Sequence, residues 1–65
     1  MSTETEVIRK LRHDLANPLA ALLAETQLLL LNEATLDTET VEGLREIEGF
    51  ARRMREMLAN TRAQE

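Results

Sequence analysis

Apolar residues recur at helical spacing along both halves of the chain. In the first half Ile8, Leu11, Leu15, Leu22, Thr26 and Leu29 fall on one side of a helix when successive residues advance by about 100°. One helix, or two in line, is predicted from about Glu4 to Asn32. In the second half Leu44, Ile47, Ala51, Met54, Leu58 and Thr61 repeat at alternating spacings of three and four, the seam of a bundle or coiled coil, and predict a helix over about Thr38 to Arg62. The stretch between them, about 33–37, reads as a loop. Asp37 is suited to cap the second helix, Leu36 to pack on Val41 as a hydrophobic staple, and Glu39 to complement the positive end of the helix dipole. So short a connection makes the two helices antiparallel neighbours.

Two features interrupt this pattern. Pro18 removes one backbone hydrogen bond and crowds the carbonyl of Asp14, so a continuous helix would bend there. Asn17 followed by Pro18 is also a good N-cap and first-turn pair, which would start a new helix and give three in all, but a continuous helix kinked near Pro18 is the preferred reading. Gly43 and Gly49 lie inside the second helix, where each costs on the order of 1 kcal/mol relative to Ala. Close helix contact would account for them, and so would neutral surface positions in a helix held by tertiary packing.

Composition turns the hairpin into an expectation about assembly. Residues 1–65 allow one small domain, and a chain of that length buries too small a fraction of its surface to be comfortably stable alone. No Cys is present, so neither a disulfide nor a thiolate metal site can staple it. Ala, Leu, Glu and Arg dominate and Phe50 is the only aromatic residue, the usage of helical bundles. The predicted fold is all-α, an antiparallel helical hairpin that homodimerises into a four-helix bundle. Its dimer core is expected to include Leu11, Leu15, Leu22, Leu44, Ile47, Met54 and Leu58, with Met54 and Met57 as adaptable core residues.

Charge and hydropathy exclude several classes. The formal net charge of −4 supplies no cationic field for nucleic acid. The longest apolar run, Leu28 to Leu31, is far short of the roughly 20 residues that a membrane-spanning helix needs. Acidic charge likewise disfavours an amphipathic helix on a membrane surface. The start, Met1 to Glu6, lacks the basic and apolar stretches of a secretory signal, so a cytoplasmic location is expected.

His13 is the only histidine, and it lies roughly 170° around the helix from the centre of the apolar stripe. A lone outward histidine is usually no more than a solvated side chain. Its context is more specific. The run His13-Asp14-Leu15-Ala16-Asn17-Pro18-Leu19 resembles the H-box of the dimerisation and histidine-phosphotransfer domain of two-component sensor histidine kinases. In that family the histidine is followed by an acidic residue, then after two positions by Asn or Thr, then by Pro and an apolar residue. All five elements occur here. The basic and apolar alternation of Ile47 to Arg62 is similar to the end of the family's second helix.

The resemblance implies that His13 accepts a phosphoryl group, which suits a neutral imidazole displayed on a rigid helix. It implies that Asp14 orients the ring or takes its proton, and that Asn17, one turn on, positions the phosphoryl group or an attacking water. Arg9 and Lys10 flank His13 one turn earlier, where they can offset phosphate charge or simply solvate the helix. Beyond His13, Ala20, Ala24, Leu28 and Leu31 continue the same outer face, either as a docking strip or, for the two leucines, as extra core near the hairpin end.

The partners implied are a second copy of the chain, a histidine kinase ATP-binding domain, and the receiver domain of a response regulator, whose aspartate takes the phosphoryl group. With two glycines and no acidic adenine site, the chain itself is expected to bind no cofactor, and ATP and Mg are expected to arrive through a separate kinase domain. One histidine and no cysteines leave too few ligands for a metal centre. A free-standing phosphotransfer protein and the helical core of a larger sensor kinase both fit. The alternative function is a catalytically silent module that only holds partners together.

Overall fold

The helix-favouring composition is realised almost without interruption. The computed structural model describes residues 3–63, in the order α1 (Thr3–Leu30), a short 3-10 turn (Glu33–Thr35) and α2 (Thr38–Ala63). Met1, Ser2, Gln64 and Glu65, counted with the domain on sequence grounds, lie outside the described residues. The architecture is the expected all-α antiparallel hairpin, a rod of 52 × 15 × 13 Å. Among the described residues no helix is long and apolar enough to cross a membrane.

α1 runs unbroken through Asn17 and Pro18, so Asn17 caps no third helix. Pro18 has no N–H to offer the Asp14 carbonyl, and a proline in a helix interior is unfavourable by about 3 kcal/mol. Continuity therefore depends on tertiary packing. Leu19, next after the proline, and Leu23, one turn further on, lie against α2, where breaking the helix would withdraw them from the seam.

The chain reverses through hydrogen bonds that tighten the end of α1. Leu31 N–H is shared between the carbonyls of Gln27 and Leu28, both at 3.2 Å, and Asn32 N–H donates to Leu29 O at 3.2 Å. Thr35 donates to Asn32 O through its amide at 2.9 Å and its hydroxyl at 2.8 Å. Asp37 then starts α2, its Oδ1 accepting the Thr40 amide at 3.2 Å. Leu36 and Val41 are both half-buried, as a staple requires. Arg45 of α2 reaches back to Glu33 at 2.5 Å and ties the loop to the second helix.

The core of the hairpin is thin. Leu23 and Ala51 are its buried apolar residues, and Ala51 is 0% exposed. Thr26 is buried beside them, its hydroxyl donating to Leu22 O at 2.7 Å, so no unsatisfied polar atom results. Leu19 and Leu58 are half-buried and line the grooves on both sides of the hairpin, which marks them as the seam between the helices. Near one end Arg12 donates to Thr61 Oγ1 at 3.5 Å, and nearer the loop Gln27 donates to Glu48 at 3.4 Å.

The apolar stripes that the sequence presents as single seams each divide. On α2, Leu44, Ala51 and Leu58 turn toward α1, whereas Ile47, Phe50, Met54 and Met57 stay exposed. On α1, Thr26 is buried against α2 but Ile8, Leu11, Leu15, Leu22 and Leu29 are exposed. Leu15, Met54 and Met57 line one groove together, so the two exposed stripes meet on the same side of the rod. The hairpin thus carries an uncovered apolar face along that side.

A Cβ built on Gly43 or Gly49 would meet nothing within 4 Å. Close approach of α1 is therefore not the reason for either glycine.

Candidate functional site

Helical register puts His13 on the side of α1 opposite the exposed apolar face, and its side chain is 82% exposed. Asp14, next in sequence and also exposed, divides its two carboxylate oxygens between two neighbours. Oδ2 accepts from Lys10 Nζ at 2.7 Å, and Oδ1 lies 3.7 Å from His13 Nδ1. The second distance is too long for a hydrogen bond and is a charge contact only. The Lys10 ammonium is the main cause that holds the Asp14 carboxyl below the usual carboxylate range, with a smaller contribution from His13. Asp14 in turn raises Lys10 above the ordinary lysine value.

Asn17 is exposed one turn after His13. Arg9, one turn before, is exposed as well. The structure therefore gathers His13, Asp14, Asn17, Arg9 and Lys10 within about two turns of one helix, all reachable from solvent.

Beside His13, and away from the exposed apolar face, a groove runs between the helices. Ala16, Ala20 and Ala24 of α1 and Ala59 of α2 form much of its wall, with Leu19, Leu23 and Leu58 at its base and Arg12, Gln27 and Arg55 among its polar lining. Of the four residues expected to form a docking strip, Ala20 and Ala24 lie in this groove. Leu28 and Leu31 do not line it and are strongly exposed at the loop end, Leu31 to 78%. They contribute no extra core within the protomer.

Sequence reasoning missed the frame of this groove. Arg12 and Arg55 are separated by most of the chain, and only the pairing of the helices brings them to the same opening. It also read Lys10 as a general counter-charge. The spacing of four from Lys10 to Asp14 was the available signal for the observed ion pair.

The family profile of the His Kinase A (phospho-acceptor) domain matches residues 3–64. This chain belongs to that family. As a His Kinase A domain it is a phosphoacceptor and dimerisation module of histidine kinases, of the kind that serves two-component signalling. Domains of this family form homodimers and work with a kinase ATP-binding domain. No curated protein and no solved structure gave a match. The family therefore rests on the profile, which spans nearly the whole chain, with the hairpin and the exposed histidine as independent structural support.

Proposed function

We propose that His13 is the phosphoacceptor of this domain, that it receives the γ-phosphoryl group of ATP from a histidine kinase ATP-binding domain, and that it passes the group to a receiver-domain aspartate. The observation that carries the reading is the outward imidazole on the far side of α1 from the apolar face. A second copy can cover that face while both rings stay accessible.

Because Nδ1 is turned toward Asp14, Nε2 is the nitrogen available to attack. Its lone pair forms the N–P bond as the P–O bond to ADP breaks and that electron pair leaves on ADP. The Nδ1 proton passes to Asp14 and on to water. Asp14 is ionised at neutral pH, so an oxygen beside Nδ1 is free to relay that proton to water. Mg bound with the nucleotide would offset phosphate charge on the kinase side. In the transfer onward, a carboxylate oxygen of the receiver attacks phosphorus and the N–P pair returns to Nε2. The Ala-walled groove beside His13 accommodates the receiver, because small side chains let a partner helix approach closely while Arg12 and Arg55 meet its acidic groups. Asn17 is placed to position a water for hydrolysis of the adduct. The need for ATP and the absence of cysteine suit a cytoplasmic setting.

The test is to incubate the protein with a histidine kinase ATP-binding domain and ATP, then measure intact mass before and after acid treatment. Wild type is expected to gain one acid-labile phosphoryl group per chain and His13→Ala none. Equal labelling of the two, or no labelling of wild type by any kinase domain, would overturn the reading and leave a silent dimerisation module.

A further inference from the structure

We infer that Lys10 is a positioning residue for the phosphoryl-transfer reaction: by gripping one oxygen of Asp14 it turns the other toward His13 Nδ1. The inference rests on His13 as the phosphoacceptor and adds a residue to that site.

The geometry assigns one oxygen to each neighbour, with Lys10 Nζ at 2.7 Å from Oδ2 and His13 Nδ1 at 3.7 Å from Oδ1. A bound ammonium removes much of the freedom of a carboxylate that is 53% exposed and would otherwise sample several rotamers. Alternatives are few. One turn further on from Asp14 stands Pro18, which offers neither charge nor an N–H. By register α2 lies on the opposite side of α1, so Arg55 and the other α2 charges do not face the carboxylate. Arg9 lies one turn before His13 on the other flank of the ring.

A purely structural role explains the pair poorly. Exposed ion pairs at this spacing add little to stability, and Lys preceding Asp is the less favourable order along a helix. Its effect on the carboxylate is more direct: the ammonium occupies Oδ2 and leaves Oδ1 on the side of the His13 ring.

The test uses the intact chain with phosphoramidate, a small phosphodonor whose ammonia leaves as the N–P bond to His13 forms, so that no docking surface is involved. Labelling rates are measured by mass at neutral pH for wild type, Lys10→Met, Lys10→Arg, Asp14→Asn and the Lys10→Met/Asp14→Asn double variant. Lys10→Met is expected to be about three- to tenfold slower, a modest part of what a well-placed base contributes. Lys10→Arg, which keeps a cation within reach of Oδ2, should restore the rate. In the Asp14→Asn background Lys10→Met should have no further effect, because its target is gone. A Lys10→Met protein with the wild-type rate would overturn the inference, and so would failure of Lys10→Arg to restore the rate or an equal slowing in the Asp14→Asn background. Failure of labelling by kinase and ATP would instead count against the phosphoacceptor reading, which separates the two.

Discussion

Leu22→Ala should loosen the proposed dimer while leaving the hairpin itself folded. Leu15, Leu22 and Leu29 recur every seven residues along the exposed face of α1, the spacing that keeps a seam facing its partner. Leu22 is 43% exposed in the protomer, so somewhat less than half of its surface remains to be covered. Full burial of a leucine side chain is favourable by about 1.5–3 kcal/mol, which leaves about 0.6–1.3 kcal/mol for the part still exposed. A symmetric dimer contains the residue twice, so removal forfeits about 1–3 kcal/mol, or about ten- to a hundredfold in dimer Kd. An unfilled cavity would add to this. Sedimentation equilibrium over a range of protein concentrations reads the constant directly. Leu31→Ala is the matched control, since that side chain is 78% exposed beyond the end of α1, outside the Leu15-Leu22-Leu29 repeat, and should leave the dimer unchanged. An unaltered Kd for Leu22→Ala, or equal weakening by both variants, would refute the assignment of the interface.

Gly49→Ala should stabilise α2 by up to about 1 kcal/mol, because the added methyl meets no neighbour and a flexible helix-interior residue is removed; urea unfolding at fixed protein concentration would detect it, and destabilisation would reveal a partner surface at that site. The Thr40 hydroxyl and backbone amide hold the Asp37 carboxyl below its ordinary value of 3.8. A depressed carboxyl contributes its stability above the unfolded value and loses it as pH falls through the folded one, so the Asp37 cap should weaken progressively below about pH 4. Melting curves followed by circular dichroism should show Asp37→Asn, which keeps a capping acceptor, lacking this share of the acid-side loss; identical pH dependence in the two proteins would remove Asp37 as a source.

Local chemistry determined much of what is found. The two helices and their antiparallel pairing follow from the period of the apolar residues and the shortness of the loop, and the start of α2 follows from the Asp37 oxygen meeting the Thr40 amide. The outward position of His13 needed only the helical repeat, since one residue's angle to a stripe on the same helix is independent of the rest of the chain. The H-box run is likewise contiguous and therefore readable as letters. Its charge pair, Lys10 with Asp14, sits at a legible spacing, although which carboxylate oxygen meets which neighbour is a matter of side-chain geometry.

Other questions could be decided only by the folded pair of helices. An apolar sector broad enough to touch two neighbours carries no mark of where one contact ends and the next begins; the rotation of α2 against α1 sent Leu44 and Leu58 inward and left Ile47 and Met54 facing out. Asn17 and Pro18 could end one helix and begin another or lie within a single one, and these outcomes differ locally by only a few kcal/mol. Packing of Leu19 and Leu23 on α2 is of that size and favours the unbroken helix. The groove framed by Arg12 and Arg55 exists only once residues far apart in sequence stand side by side, a distance that no helical period encodes.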